Sequence, residues 1–381
     1  MRLLRILTCC CVVVFHSKLC FAQYLGRIMC SYHMLDSLES LEKIKVIQPV
    51  NVALQHETLP ALRNMKMPTV AIVGSMNADY TIVANRLPMP GETIKGDEIR
   101  ILPGGKSGNQ AVSAAKLGAH VCMFGAVGND ANADFLTGAL RESGVDTTYV
   151  RHVPNCNSGA TVITVDAQSG ENTIVYAPGS NSQVDIDYIQ SSSVQAAITN
   201  AKVLGLCLES PLESVTMCAR LAHEHGVKVL LNNSPFLDTL PRDLIRSADI
   251  LLVNEHEMAQ LLHISEPDSG DWDSFDWKHT LHAMHEFGFN EAIVTLGSRG
   301  SMVLDYADNS VHRIMAQHVN AVDTTGCGDA FMGTVLACLS VDMRLVDAAS
   351  LASYVAAYAA TGFGAQASYG TVAQIRQFFH L

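Results

Sequence analysis

The sequence predicts an α/β protein: a central, mostly parallel sheet with helices on both faces, and a small β-sheet lid. Three observations carry that prediction. Short apolar runs rich in β-branched residues alternate with helical stretches, the pattern of a parallel sheet covered on both faces. Two segments break the alternation with strands and no helices. Glycines cluster at strand ends, where open α/β sheets bind their ligands.

Taken in chain order, residues 1–66 read as an N-terminal extension, disordered or targeting, and residues 67–381 as one domain. Thr69 to Gly74 (TVAIVG) is a buried strand ended by glycine. Asp79 to Leu102, punctuated by Pro90-Gly91, and Ser158 to Tyr176, punctuated by Ser169-Gly170, read as the hairpins of the lid. The alanine-rich stretch Ser107 to Leu117 is a helix, Val121 to Val127 a strand and Asp130 to Ser143 a helix. Beyond residue 200 the predicted strands are Lys202 to Leu206, Val227 to Leu231, Asp249 to Val253 and Glu291 to Thr295. Helices fall between them at Leu212 to Glu224 and Glu255 to Leu262, and a long apolar helix follows at Ala330 to Leu339. The acidic, tryptophan-bearing stretch 264–278 reads as a surface loop. No internal repeat is evident.

Composition narrows the function. Hydrophobic residues make up 48% and charged residues 16%, which suits a large core and excludes a disordered or coiled-coil chain. The net charge is -12, from 25 basic and 37 acidic residues, with no basic cluster. Neither nucleic acid nor an anionic membrane is an expected partner, and no apolar stretch is long enough to span a bilayer. Any phosphate must be held by backbone N–H groups, a few placed cations and metal ions. Five of the 11 cysteines lie in the first 30 residues, and the other six are scattered without CxxC spacing. They read as reduced thiols, not as a disulfide framework or a zinc site.

The strongest chemical signal is Asp323-Thr324-Thr325-Gly326-Cys327-Gly328-Asp329, running straight into the apolar helix. Glycines at a helix start let an anion approach free N–H groups and the positive end of the dipole. Asp329 beside that anion hole is placed to take a hydroxyl proton during phosphoryl transfer. A lone G-x-G-D would be only a capped turn; here seven residues agree. Gly104-Gly105-Lys106-Ser107-Gly108-Asn109-Gln110 precedes another helix with spacing unlike a Walker A loop. It presents Lys106, Asn109 and backbone N–H groups to hydroxyls. Asn77-Ala78-Asp79, after the first strand, can pair with vicinal hydroxyls, although alone it would read as an Asx turn. Asn254-Glu255-His256-Glu257 and Thr295-Leu296-Gly297-Ser298-Arg299-Gly300 sit at further strand ends. The first fits either a helix cap or a site for phosphate and magnesium-bound water, the second a nucleotide. His279, His282 and His285 fall on one side of a predicted helix, and with no acidic or cysteine partner in step they read as a solvated face.

Together the stretches from Ile72 to Asp79, GGKSGNQA from Gly104, LESPLESV from Leu208, NEHE from Asn254, TLGSRG from Thr295 and DTTGCGD from Asp323 resemble the PfkB carbohydrate kinase family, on its ribokinase-like side. The resemblance runs from about Met67 to the C-terminus. It implies ATP-dependent phosphorylation of a sugar, D-ribose at O5, with fructose, nucleoside and ketodeoxygluconate kinases as the family alternatives and a catalytically silent sugar-binding protein as the other. Sugar contacts would fall on Asn77, Ala78, Asp79, Gly105, Lys106, Ser107, Gly108, Asn109 and Glu209. The base would be Asp329, with Gly326, Cys327 and Gly328 as its anion hole. ATP would meet Asn232, Thr295, Leu296, Gly297, Ser298, Arg299, Gly300, Gly328 and Asp329, with magnesium near Glu257. Potassium would be held by Asp323, Thr325, Ala359, Gly362, Gly364 and Ser368, and two copies would join through the lid as a homodimer. Cys327 stands where the family usually has alanine, which would expose the anion hole to thiol reagents, and Ala367 replaces a frequent proline.

The start of the chain admits three readings. Arg2 and Arg5 ahead of the apolar run Ile6 to Phe15, with Cys20-Phe21-Ala22 beyond, have signal-peptide grammar. The absence of acidic residues before Asp36 also suits a mitochondrial presequence. The favoured reading is an extension ahead of a start at Met65 or Met67, in a cytoplasmic enzyme that can also be nuclear, because the chemistry needs ATP. The one N-x-S/T site, Asn232-Asn233-Ser234, falls inside the expected nucleotide cleft, where a glycan would block it.

Overall fold

Ten strands form the main sheet, in the order β1-β14-β13-β12-β11-β10-β9-β2-β5-β6. They are β1 (Lys45–Ile47), β2 (Val70–Val73), β5 (Val121–Val127), β6 (Asp146–His152), β9 (Val203–Leu206), β10 (Lys228–Asn232), β11 (Ile250–Asn254), β12 (Glu291–Thr295), β13 (Ser301–Asp305) and β14 (Ser310–Ile314). A four-stranded sheet, β4-β3-β7-β8, is built from β3 (Asn77–Ala84), β4 (Gly96–Gly104), β7 (Gly159–Asp166) and β8 (Asn172–Ala177). The computed structural model describes residues 45–47, 70–169, 171–267 and 270–381, so the signal-peptide and presequence readings lie outside the described residues.

In the main sheet only β13 runs against its neighbours. The central strands β2, β5 and β9 are apolar on both faces because helices cover both. Along β2, Val70 and Ile72 enter the core beneath the helices Lys106–Lys116, Cys327–Leu339 and Leu345–Ala359, while Ala71 and Val73 enter the opposite core beneath Leu212–Glu224 and Trp277–Phe287. Chain order reverses between β2 and β9: from β2 the strands go out through β5 to β6, then return to β9 and go out the other way. A reversal of this kind opens a crevice at the carboxyl ends of the strands. Asn77 follows β2 there and Glu209 follows β9.

The lid stands over that crevice. Alternation along β3 points Asn77, Asp79 and Thr81 one way and Ala78, Tyr80 and Ile82 the other, and the paired strands keep the same two faces. Two differences from the sequence reading have clear causes. The 264–278 stretch is not a simple surface loop: Trp272 and Trp277 are 1% exposed and pack with Phe275 against the sheet, while Asp271 and Asp273 carry the solvent side. Short β1, inside the segment assigned to the extension, pairs in parallel with β14 and closes that edge of the sheet. The compact unit accordingly spans Ile44–Leu381. Among the described residues no helix is long and apolar enough to cross a membrane.

Candidate active site

Gly326 takes a left-handed conformation (φ 75°), and a Cβ there would lie 2.6 Å from the Tyr369 hydroxyl, so only glycine turns the chain at this point. The turn launches the helix Cys327–Leu339, whose inner face is apolar throughout. Asp329 is thereby fixed in the first turn, 8% exposed. Its Oδ2 accepts a hydrogen bond from Asn109 Nδ2 at 2.9 Å and its Oδ1 one from Gln110 Nε2 at 3.1 Å. Both donors come from the helix Lys106–Lys116, which packs along the Asp329 helix. Cys327 turns its own N–H onto the Thr324 carbonyl at 3.2 Å, so of the three anion-hole residues expected from the sequence it is the one already engaged. The amides of Gly328 and Asp329, in the first turn, have no intrahelical acceptor.

Gly105 is the corresponding pivot at the start of the Lys106 helix. With φ 85° and the Asn77 nitrogen 2.7 Å from where a Cβ would stand, it lets the Lys106 helix start against the end of β2. The Lys106 N–H donates to Glu209 Oε2 at 3.2 Å, and Ser75 Oγ donates to the same oxygen. Asp329 and Glu209 are the carboxylates that act most strongly on the Lys106 ammonium, and the same two also act on Asp79.

Their charges shape each other. Burial lowers the proton affinity of Lys106, but Asp329 and Glu209 outweigh it and hold the ammonium above its ordinary value. Burial raises Asp329 in spite of Lys106, Asn109 and Gln110. The two directions are compatible: the carboxyl is the more deeply desolvated partner, and a raised pKa makes it a better proton acceptor. Asp79 rises to about 6, chiefly by burial, with the Thr161 hydroxyl opposing and the charges of Glu209 and Asp329 adding to the rise.

Two clefts meet here. One, of about 300 Å³, is lined by Thr295, Gly297, Ser298, Gly300, Thr324 and Gly328 among others. The second, of about 520 Å³, lies between Asp79 and Leu102 of the lid and the 321–325 and 363–365 loops. They share Ala321 and Thr324. Cys327 lines the first cleft, but burial and the nearby Asp323 and Asp329 push its thiol up to about 11, which disfavours the reactive thiolate.

Thr295, Gly297, Ser298, Gly300, Cys327 and Gly328 line the first cleft, and Asp79, Asp323, Thr325 and Gly364 the second. Four of the other predicted side chains are turned away or engaged elsewhere. Ala78 is fully buried on the opposite face of β3, because alternation turns it away from Asn77 and Asp79. Ser107 donates to the Val73 carbonyl at 3.4 Å and is fully buried, so it braces the turn. Leu296 is a core residue at 1% exposure. Arg299 is spent on Glu255 Oε1 at 3.0 Å and the Gly270 carbonyl at 2.9 Å. Asn232 ends β10, half-buried, next to β11. Asn254 and Glu257 form a reciprocal capping box at 2.8 Å, while Glu257 still feels the Lys106 charge. His282 and His285 pack on Tyr306, the latter stacked at 3.5 Å. The six described cysteines are free thiols.

The structure also shows residues that the sequence reading passed over. Asn181, fully buried, donates to Asn77 Oδ1 at 2.7 Å. Thr161 donates to Asp79, and Gln366 donates to Asn109 Oδ1 at 3.1 Å. Gln110 and Gln366 stand inside recognisable motifs, which was the available signal; Asn181 and Thr161 carried none.

A buried carboxylate in the first turn of a helix, held by Asn109 and Gln110 and one residue from Gly328 in the wall of a cleft, fits a phosphotransferase that acts on an alcohol group. The chain belongs to the pfkB family of carbohydrate kinases, whose family model matches residues 67–371. It is similar to the ribokinase of Haemophilus influenzae, 33% identical over 310 residues that cover 81% of this chain and 98% of that one. It is also 34% identical to the deoxyribokinase of Salmonella typhi over 314 residues, 82% of this chain and 99% of that one. Among solved structures, Arabidopsis thaliana ribokinase complexed with ribose and ATP matches with a TM-score of 0.75 and 28% identity, covering 83% of this chain and 99% of that chain. The fold is ribokinase-like, and the chain is an ATP-dependent sugar kinase.

Proposed function

We propose that this chain is a ribokinase, transferring the γ-phosphoryl group of ATP to O5 of D-ribose and yielding D-ribose 5-phosphate and ADP. The observation that carries the reading is Asp329, held by Asn109 and Gln110 on both carboxylate oxygens and faced by Asp79 and Lys106. Asp329 takes the O5 proton as the O5–phosphorus bond forms and the bond to ADP breaks. The first-turn amides and the Lys106 ammonium offset the charge that develops. Asn77 and Asp79, two residues apart on one face of β3, accept from neighbouring hydroxyls.

A second reading, 2-deoxy-D-ribose, is favoured by the 34% identity to a deoxyribokinase. Against it, a site that buries a carboxylate such as Asp79 to meet a hydroxyl strongly rejects a substrate lacking that hydroxyl. A coupled ADP-release assay with D-ribose, 2-deoxy-D-ribose, D-fructose, adenosine and ketodeoxygluconate decides. D-ribose should give the highest kcat/KM; a higher value for any of the others overturns the assignment.

This ATP-using family needs a divalent metal in general. Magnesium would neutralise phosphate charge when bound with ATP. Glu257, half-buried and beside the Lys106 charge, would hold it through water. The potassium residues fit a monovalent cation. Burial raises the Asp323 carboxyl, but N–H donors from Thr325 and Gly364, each at 2.9 Å, outweigh it and keep the group below its ordinary value. Gly362 lies against Ser368, with the Ala359 carbonyl 3.9 Å from where its Cβ would be. Turnover at saturating magnesium-ATP is expected to rise when potassium replaces a bulky organic cation, and Asp323→Ala should abolish that response. A response unchanged in Asp323→Ala would remove the cation from this loop.

The outward face of the lid supports the homodimer. Ile99, Ile101, Val162 and Val175 are 61%, 47%, 47% and 68% exposed on one apolar stripe, which a second copy would cover. Sedimentation is expected to give a dimer, with Val175→Lys shifting it toward monomer; a monomeric wild type at micromolar concentration sinks this contact.

A further inference from the structure

We propose that Gln366 is a positioning residue: it orients the Asn109 amide, and through it the catalytic carboxylate of Asp329. The inference rests on the sugar-kinase reading of this site. Gln366 is 7% exposed and reaches Asn109 across 257 residues of sequence. Its place is secured from both sides. Lys116 Nζ donates to the Gln366 carbonyl at 3.1 Å and to the Tyr369 carbonyl at 2.7 Å. Tyr369 in turn donates to the Gly326 carbonyl at 2.7 Å, beside the catalytic helix.

The chemistry is one of direction. A carboxamide can present either its oxygen or its nitrogen to Asp329. Only the nitrogen donates to a carboxylate; the oxygen would repel it. Gln366 Nε2–H takes the Asn109 oxygen and thereby commits the Asn109 nitrogen to Asp329 Oδ2. Gln110 does the same at Oδ1 from its own helix. Each carboxylate oxygen then keeps a lone pair for the substrate hydroxyl, and Asn109 keeps one N–H and one lone pair for the sugar. Gln366 touches neither sugar nor nucleotide; it acts through Asn109.

The test uses the full chain and a double-mutant cycle. Gln366→Met keeps the length of the side chain and removes the amide. It should lower kcat/KM for the sugar by about 3- to 10-fold, the worth of one hydrogen bond between neutral groups, while leaving KM for ATP and the unfolding temperature near wild type. In Asn109→Ala the side chain that Gln366 orients is gone, so adding Gln366→Met should cost nothing further. Gln366→Glu sets a carboxylate against the Asn109 oxygen and should be worse than Gln366→Met. Wild-type kinetics in Gln366→Met, or losses that simply add in the double mutant, overturn the inference, as does a fall in ATP and sugar parameters together with the unfolding temperature. The cycle is run on whichever sugar of the panel wild type phosphorylates. A different preferred sugar therefore counts against the ribose assignment and leaves the cycle readable.

Discussion

Asp329→Asn should lower turnover by about 10²–10⁴-fold, the usual share of general-base catalysis, with sugar affinity changed little. The substitution keeps the shape of the group and removes its proton affinity. The loss is expected at the upper end of the range for a reason specific to this site. Asn109 and Gln110 each offer an N–H, one to each oxygen of the carboxylate. An asparagine has a single oxygen, so its amide nitrogen must face one of these donors and push it aside. The anion-hole amides and the binding contacts remain, and so does the residual catalysis they supply. Kinetics by the coupled assay and sugar binding by calorimetry without ATP separate the two effects. Near-normal turnover would move the base elsewhere, and lost sugar binding would mean that Asp329 serves mainly to bind.

Why does the sequence single out Asp329 but not the side chains that hold it and its neighbours? Central parallel strands are short, apolar and β-branched, so β5 and β12 are found to the residue. An anion hole of the kind expected here needs glycines at a helix start, and Gly326 and Gly328 on either side of Cys327 are written locally too. Edge strands lack this signature. β6 reads Asp-Thr-Thr-Tyr-Val-Arg-His, half exposed, and only pairing with β5 makes it a strand. The supports are invisible for a related reason. Thr161 meets Asp79 from 82 residues away and Asn181 meets Asn77 from 104, so no local pattern joins them. Arg299 illustrates the opposite error: a cation beside glycines at a strand end suits a nucleotide, but Glu255, 44 residues earlier, claims it. The tryptophans of 264–278 followed the same logic, since acidic neighbours mask side chains that pack inward.

Asp79→Asn is expected to stabilise the fold at neutral pH while impairing the enzyme. In the native protein the Asp79 carboxyl titrates near 6 against an ordinary 3.8, mainly because it is buried, with the Thr161 hydroxyl opposing and the Glu209 and Asp329 charges adding to the rise. Below pH 3.8 the group is protonated in both folded and unfolded chains, and its contribution to stability is fully present. As pH rises through about 6 the folded chain must ionise at a cost the unfolded chain does not bear, so that contribution is lost. The whole difference corresponds to about 3 kcal/mol, or on the order of 5 °C in unfolding temperature for a domain of this size. Asparagine carries no charge at any pH, so the variant should match wild type near pH 4 and gain on it up to about pH 7. The same change exchanges a carboxylate acceptor for an amide and should cost about 10–100-fold in kcat/KM for the sugar, with KM for ATP nearly unchanged. Opposite shifts in stability and activity of this kind are what a carboxylate held for recognition at the expense of stability would give. Unfolding temperatures of both proteins from pH 4 to pH 8, without sugar, give the test. A gap that is constant across that range, or a variant less stable at pH 8, would show that burial of the Asp79 charge is not what the fold bears.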